Sequence, residues 1–426
     1  MKRLDKKNKN LLVNTVMLYI MVFSAQLFNL AVMPYLSRVL EPMTYGKVGI
    51  ATSYMAYVQI IIDFGFILSA TRRVSENREN KDYLSKLLVS VNVLKTMLSL
   101  LVSGAFMTIV FLTDMKDDWL FYFLYLLSQV IYGFLPDFLY RGLEDMKIVT
   151  IRTVIVKAIF MVLIFIFVKN KSDYYLVPLF SMIGNFVAVI ATYFDVFFKL
   201  KLRFVRVKFH DVWFDFKDSS QFFLSRVSGT IYQASNSIIL SQIYGSESDT
   251  IGLYTSAEKI VALTKTASSP VADSVYPYMI KNKNFKLIKK ILLVVMPLVL
   301  IAAVIVAIFP CQICSIIFGE DYYDAGYMLR LLIPYLIVIF PNYLLAFPVM
   351  VPLGLTKLCN LSNVIGLCSQ ALFVTILALT GNLNVYSLCI ATSATEVIVF
   401  SFRCIVVFIR VKSLKKSENN NPTLTE

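Results

Sequence analysis

Seven cationic side chains fall inside apolar stretches of this 426-residue chain, where a soluble protein would place aliphatic residues. A charge at the centre of a membrane helix costs about 2.5–3.5 kcal/mol unless it meets water, a partner or a ligand. Only Asp63, Glu258 and Glu396 are acids at comparable depth, so pairing alone cannot neutralise the cations. This surplus predicts a water-filled, positively charged interior with an anionic passenger. The seven cations are Lys95, Lys157, Arg226, Lys259, Lys265, Arg330 and Arg403.

Helical spacing groups three of these cations with uncharged polar residues on one helix face each. Such polar stripes predict a common lumen or, alternatively, contacts that brace one helix against another. The lumen interpretation is favoured, and both stay open. The stripes are Arg226 with Thr230, Gln233 and Ser237; Lys259 with Thr255 and Thr266; and Lys95 with Asn92 and Ser99.

Other charges have simpler interpretations. Lys157 lies two turns from a cytoplasmic helix end and can extend its ammonium to the interface. Asp137 and Arg141 have the i, i+4 spacing that favours an ion pair. Glu396 and Arg403 share a helix face, but about 10 Å of helix rise separates them, so no direct pair is expected.

The composition defines the class of protein that must position these residues. The chain is 58% hydrophobic and 16% charged, with a mean hydropathy of +0.70, whereas a soluble domain has about 25% charged residues. The sequence therefore predicts an all-α polytopic membrane protein with about 12 transmembrane helices in two six-helix lobes around a central cavity. The predicted spans are 11–35, 46–70, 87–113, 119–140, 151–168, 175–198, 219–244, 251–278, 291–309, 326–348, 359–380 and 385–409.

The distribution of Lys and Arg predicts the orientation of these spans. With the N-terminus inside, 29 of the 41 basic residues lie in cytoplasmic segments and five in external ones. Because cytoplasmic loops carry the excess of Lys and Arg, both termini are predicted to be cytoplasmic.

A basic stretch divides the predicted spans into halves. The expected domains are 1–198, a six-helix lobe; 199–218, a basic cytoplasmic connector; 219–410, a second six-helix lobe; and 411–426, a cytoplasmic tail. Apolar residues interleave with the cations of the connector, which suits the headgroup layer of anionic lipids. A plain connector, kept inside by its charge, explains the pattern equally well.

Several function classes are excluded or disfavoured. The external loops leave no room for a catalytic domain, and the chain shows no phosphate-binding glycine loop or Ser/His/Asp arrangement, so no enzyme is expected. A single histidine makes a metal site improbable, and the net charge of +14 is attributed to the membrane rather than to nucleic acid. Pro334, Pro341 and Pro348 recur every seven residues and predict either a hinge or tolerated kinks.

Six segments resemble Wzx-type flippases of O-antigen and capsule repeat units, within the superfamily that includes multidrug exporters. The fourth-span segment departs from the usual pattern at Phe138–Arg141, and Glu41 stands where the family usually has glycine. The segments are Pro34–Pro42 followed by Tyr45 and Gly46; Asp63–Arg72; Leu135–Met146; Gly252–Ile260; Tyr276–Tyr278; and Phe318–Tyr322.

The resemblance implies the substrate and its location. The expected substrate is undecaprenyl diphosphate carrying a short oligosaccharide, moved across the bacterial inner membrane without a cofactor. A polysaccharide polymerase and a chain-length regulator are the expected protein partners. Arg38 and Arg72, in the resembling segments, join the candidate lumen cations. The alternatives are an ion-coupled multidrug-type antiporter, for which an acidic lumen would be expected, and a peptidoglycan-precursor flippase, which typically has two more spans.

Two acids are candidates for coupling to H⁺ or Na⁺. Asp63 is the deep acid of the second predicted span, with Gln59 one turn before it. A poorly solvated carboxylate can load and release a proton during a transport cycle. A fixed salt bridge to a lumen cation is the alternative, and Glu396 is the next coupling candidate.

Overall fold

The computed structural model describes the backbone of residues 2–420 and most of their side chains. Within this range the chain is built from α-helices with short 3₁₀ and π segments and contains no strand. The all-helical prediction is therefore confirmed. The side chains that are not described belong to residues 2–15, 18, 29, 222, 224–226, 228–233, 273, 277, 282 and 414–420.

The chain forms two compact units, Met1–Gly252 and Leu253–Glu426. In the first unit α1 packs on α6 and α8, and α4 packs on α7. The units divide after Gly252, and α8 packs within the first unit. The predicted lobe boundaries at 199–218 stay a prediction. The helices of this unit are α1 (Lys2–Asp63), α2 (Phe66–Glu76), α3 (Lys81–Leu112), α4 (Trp119–Gly133), α5 (Asp137–Leu143), α6 (Met146–Phe167), α7 (Leu176–Phe198), α8 (Phe209–Tyr244) and the start of α9 (Asp249–Asn282).

Two of the predicted spans are interrupted in this unit. The predicted span 46–70 breaks where α1 ends at Asp63, and Phe64 and Gly65 adopt positive φ angles of 34° and 83°. The predicted span 119–140 breaks between α4 and α5, where Pro136 disfavours helical geometry at the preceding residue. Both predicted spans lie within stretches that are long and apolar enough to cross a membrane, but each is built from two helices rather than one.

The second unit contains the rest of α9 and six further helices. Its proline-rich region is irregular: Pro341 lies inside α13, and a π-helical turn follows at Leu345–Met350, where Ala346 has a non-helical ψ of −111°. The predicted span 326–348 is thus divided over several elements. The helices are α10 (Phe285–Ile308), α11 (Pro310–Phe318), α12 (Ala325–Leu331), α13 (Ile333–Leu344), α14 (Thr356–Leu379) and α15 (Val385–Asn420).

Many of these helices are suited to a bilayer. Eight helical stretches within the described residues are long and apolar enough to cross a membrane, and α10 is the most hydrophobic of them. One of the eight, Tyr19–Glu76, is 58 residues long and includes the kink at Glu41, where φ is 61°. It covers two of the predicted spans. The chain is a multi-pass membrane protein.

Candidate functional site

The interruption of the fourth predicted span creates a binding place for the ammonium group of Lys95. Because Pro136 has no N–H and the helix stops at Gly133, backbone carbonyls at the end of α4 are left without helical partners. The ammonium of Lys95, on α3, donates to the carbonyl of Gly133 at 2.6 Å and lies 3.5 Å from that of Leu135. The Lys95 side chain is buried, and its charge meets the negative end of the α4 dipole.

A small polar cavity lies beside Lys95. Its volume is about 160 Å³, which holds several water molecules or a hydrated ion but not a sugar diphosphate. Two carboxylates and two cations face it, so its chemistry suits ion or proton binding rather than recognition of a large anion. We call it the first cavity; it is lined by Gln59, Asp63, Ile67, Lys95, Tyr132, Gly133, Leu135, Asp137, Phe138 and Arg141.

Asp63 is held in this cavity by a chain of amides. Gln59 donates to Asp63 Oδ2 at 2.8 Å, and Gln129 on α4 donates to the oxygen of Gln59. The carboxylate of Asp63 also interacts electrostatically with Lys95. The structure thus brings together the coupling candidate Asp63 and the predicted lumen cation Lys95.

Asp137 has a different partner from the one that its spacing predicts. Its Oδ1 accepts from Arg152 of α6 at 2.8 Å, and the pair is mostly buried. The Arg152 guanidinium also lies 3.3 Å from the hydroxyl of Thr192. The predicted pair of Asp137 with Arg141 was therefore wrong, because the tertiary contact supplies a better-placed guanidinium and Arg141 is exposed.

A second cavity adjoins the first and shares the walls Tyr132 and Leu135. Its volume is about 310 Å³, and it combines cations, hydroxyl and amide groups and phenyl rings. Lys157 lines this cavity beside Arg152, an arrangement that sequence spacing did not indicate. The lining residues are Gln129, Tyr132, Leu135, Arg152, Thr153, Val156, Lys157, Phe160, Phe180, Ser181, Asn185 and Ala188.

The two ends of α8 are joined to the N-terminal helices by polar contacts. At its first turns, Arg72 forms an ion pair with Asp218 at 2.8 Å, and Arg73 pairs with Asp215. After its last turn, Lys47 pairs with Asp118 and, at 2.8 Å, with Glu247. Arg72, predicted as a lumen cation, is therefore half-exposed in an ion pair within the first unit.

In the second unit, Arg403 lies in a buried hydrogen-bond network. Its guanidinium donates to Ser362 at 2.9 Å, to Asn363 at 2.9 Å, and to both the carbonyl and the side-chain oxygen of Asn342. Asn342 in turn donates to Glu396 at 3.2 Å. Asn342 thus bridges Glu396 and Arg403, between which no direct pair is expected from the sequence. Arg403 braces α13, α14 and α15 in this structure.

The remaining candidates are dispersed. Lys265 is half-buried and interacts electrostatically with Glu396 and Glu258, so it belongs with the second-unit network. Lys259 is also half-buried, whereas Arg38 and Arg330 are exposed. Arg330 donates to the carbonyl of Ala307 at 3.2 Å.

The structure describes the side chains of only some residues of the predicted polar stripes. Ser237 and Thr255 are buried, and the Thr255 hydroxyl has no hydrogen-bond partner among the described residues. The hydroxyl of Thr266 donates to the backbone of its own helix at Ala262. The side chains of Arg226, Thr230 and Gln233 lie outside the described part of the structure, so their predicted roles stay predictions.

Comparison with solved structures supports the helical architecture. An inward-facing multidrug resistance MATE family transporter of the MOP superfamily superposes with a TM-score of 0.66 at 16% identity, covering 92% of this chain and 95% of its own. A MATE mutant superposes with a TM-score of 0.57 at 16% identity, covering 96% and 97%. At these identities the likeness shows the fold alone.

Comparison of sequences is more specific. A protein of Shigella dysenteriae named "Putative O-antigen transporter" is 25% identical over 401 residues, 91% of this chain and 98% of its own length. A protein of Escherichia coli (strain K12) with the same name is 26% identical over 292 residues, 66% and 68% of the two chains. The family model described as polysaccharide biosynthesis protein matches residues 11–283. This polysaccharide-related, multi-pass membrane transporter therefore belongs to the polysaccharide biosynthesis protein family.

Proposed function

We propose that this protein flips undecaprenyl-diphosphate-linked oligosaccharide repeat units from the cytoplasmic to the periplasmic leaflet of a bacterial inner membrane. The observation that carries the proposal is the similarity over nearly its whole length to a protein named as an O-antigen transporter. The flipped units would serve O-antigen or capsule assembly, with a polymerase and a chain-length regulator acting on the product. Transport would proceed by alternating access through a cationic interior.

The charges of the described residues support an anionic passenger. A diphosphate is a dense anion that Arg and Lys bind well. Arg152 and Lys157 supply two cations to the second cavity, and Thr153, Ser181 and Asn185 supply the hydroxyl and amide groups that suit sugar. In the second unit, Lys265 is a further half-buried cation.

Deletion of the gene in its native host tests this proposal. We expect the deletion strain to lose surface polysaccharide and to accumulate the undecaprenyl-diphosphate-linked repeat unit, both restored by the plasmid-borne gene. Mass spectrometry of extracted lipids measures the accumulation whichever sugars the repeat unit contains. Normal surface polymer with an unchanged lipid-linked pool would contradict the proposal.

An ion-coupled antiporter for small molecules is the second candidate, because the fold is that of a MATE transporter. In that case the same deletion would lower resistance to toxic compounds and leave the polysaccharide intact. A peptidoglycan-precursor flippase would instead reveal itself by accumulation of the peptidoglycan lipid precursor. The lipid analysis thus separates all three functions.

The proposed lumen cations lead to a mutational prediction. Replacing Lys265 with Ala should lower surface polysaccharide at least about tenfold, because a hydrogen bond to a charged group contributes about 1.5–3 kcal/mol. Lys265→Arg should be milder, and Lys259→Ala should resemble Lys265→Ala. Exposed Lys357→Ala is the matched control. Immunoblots establish equal protein levels, and wild-type polymer from Lys265→Ala would exclude it from substrate binding.

Asp63 is proposed as the ion-coupling residue, with Glu396 as the next candidate. Asp63→Asn keeps an oxygen that can accept from Gln59 but removes the titratable group. In proteoliposomes with an imposed pH or sodium gradient, this variant should flip substrate at a rate that no longer depends on the gradient. A gradient response equal to that of the parent would assign Asp63 a structural role beside Lys95.

A further inference from the structure

The segment that connects α7 to α8 combines exposed cations with exposed aromatic rings. In residues 199–208, which precede the first turn of α8, most side chains are exposed and only that of Leu202 is buried. Phe204 is 71% exposed, Phe209 78% and Trp213 57%. Four exposed cations stand among them, and none forms an ion pair with a described residue: Lys201, Arg203, Arg206 and Lys208.

This segment is fixed to the first unit rather than loosely tethered. Leu202 is buried in the hydrophobic core, and its N–H donates to the carbonyl of Val196 at 3.2 Å. The N–H of Arg203 donates to the hydroxyl of Ser85 at 3.1 Å. The four exposed cations therefore lie within a short segment whose backbone is held against the first unit at Leu202 and Arg203.

The acids near the segment are mostly neutralised by other partners. Asp215 pairs with Arg73 and Asp218 with Arg72. At the end of α7, Asp195 forms an ion pair with Lys199, and the nearby carboxylate raises the pKa of Lys199. None of the described acids forms an ion pair with the four cations, and Asp211 is exposed close to them in sequence. The surface thus complements an anion.

The aromatic rings indicate what kind of anion this surface meets. Phe209 stacks on Trp213 at 6.5 Å, Trp213 on Phe216 at 5.6 Å, and Phe216 on Phe64 at 4.6 Å. The row runs from exposed rings inward to the break between α1 and α2. Trp and Phe beside cations are typical of elements that lie in the headgroup region of a bilayer, whereas a soluble polyanion would leave these rings in water.

We infer that residues 199–217 form an interfacial element that binds the headgroups of anionic membrane lipids. The cations contact the phosphates, and Phe204, Phe209 and Trp213 insert at the level of the acyl-chain boundary. This surface is separate from the two cavities and does not depend on which solute the protein transports. The inner end of the aromatic row, at Phe64, adjoins Asp63 in sequence.

The fluorescence of Trp213 provides a direct test, because the chain has only two tryptophans. The Trp119→Phe variant, in which Trp213 is the sole tryptophan, is reconstituted in phosphatidylcholine vesicles containing brominated phosphatidylglycerol or brominated phosphatidylcholine. We expect quenching to report at least about a fivefold preference for the anionic lipid, because fivefold corresponds to the roughly 1 kcal/mol that a single basic residue contributes near a charged surface.

Two charge variants in the same background supply the control. Changing Lys201, Arg203, Arg206 and Lys208 to Gln should abolish the preference. Changing the exposed Lys281, Lys283, Lys286 and Lys289 to Gln alters the net charge equally and should preserve it. High salt should weaken the preference of the unaltered segment, which provides a test even if the first variant fails to fold.

Three results would overturn the inference: equal quenching by the two brominated lipids, an equal loss of preference in both Gln variants, or displacement of the anionic lipid by soluble glycerol phosphate. The last result would identify a site for free phosphate instead. If the protein retains the lipid preference but does not flip the lipid-linked oligosaccharide, that result would count against the proposed function alone.

Discussion

Replacing Lys95 with Met should lower the free energy of unfolding by about 2–6 kcal/mol, because two backbone carbonyls lose their donor and each buried acceptor without a donor costs about 1–3 kcal/mol. The ammonium satisfies the carbonyl of Gly133 at the interrupted end of α4 and neutralises the field of Asp63 and Asp137. Methionine preserves most of the volume but neither function. Denaturant titration of the protein in detergent, followed by circular dichroism, measures the loss.

A double-mutant cycle identifies the source of this effect. If the loss comes from an uncompensated carboxylate, Lys95→Met combined with Asp63→Asn should recover about 1–3 kcal/mol relative to the sum of the single variants. Lys86→Met, at an exposed position of the same helix, is the matched control. Simple additivity of the two variants would show that Lys95 acts only on the α4 carbonyls.

Replacing Arg403 with Ala should lower the free energy of unfolding by about 3 kcal/mol or more. The change removes a charged donor from several oxygen acceptors, and each such hydrogen bond contributes about 1.5–3 kcal/mol. These are the carbonyl and side-chain oxygens of Asn342 and the side-chain oxygens of Ser362 and Asn363. The melting temperature in detergent measures the change.

The comparison with neighbouring variants makes this prediction specific. Arg403→Lys keeps the charge but cannot reproduce the planar set of donors, so it should be destabilised nearly as much. Lys412→Ala, further along α15 and exposed, should change the melting temperature little. A stable Arg403→Ala variant that has lost transport would contradict the bracing role and favour the lumen interpretation.

The membrane class and most helices could be predicted because hydrophobic length is a local property of the sequence. The breaks within the helices could not be predicted in this way, because they depend on distant residues. Pro136 marks a point where the fourth span can be interrupted, but the break is tolerated because Lys95, some 40 residues away, satisfies the free carbonyls. Likewise, Gly65 gave no indication by itself that the helix would stop at Asp63.

The candidate site was predictable in its residue types and less so in its pairings. Local spacing correctly selected Gln59 with Asp63, one helical turn apart. It failed for Asp137, whose partner Arg152 comes from the next helix. The sequence did not indicate a role for Asn342, which links Glu396 to Arg403. A single uncharged polar residue inside an apolar span does not by itself point to a hydrogen-bond network.

Direct measurement of flipping by the purified protein tests the central claim. The lipid-linked oligosaccharide extracted from the deletion strain is reconstituted with the protein in vesicles, and a membrane-impermeant sugar oxidant reports which leaflet holds the oligosaccharide. We predict that the inner-leaflet pool becomes accessible during incubation with the protein and stays protected in protein-free vesicles. Equal protection with and without the active protein would contradict the proposal that this chain moves lipid-linked repeat units across the membrane.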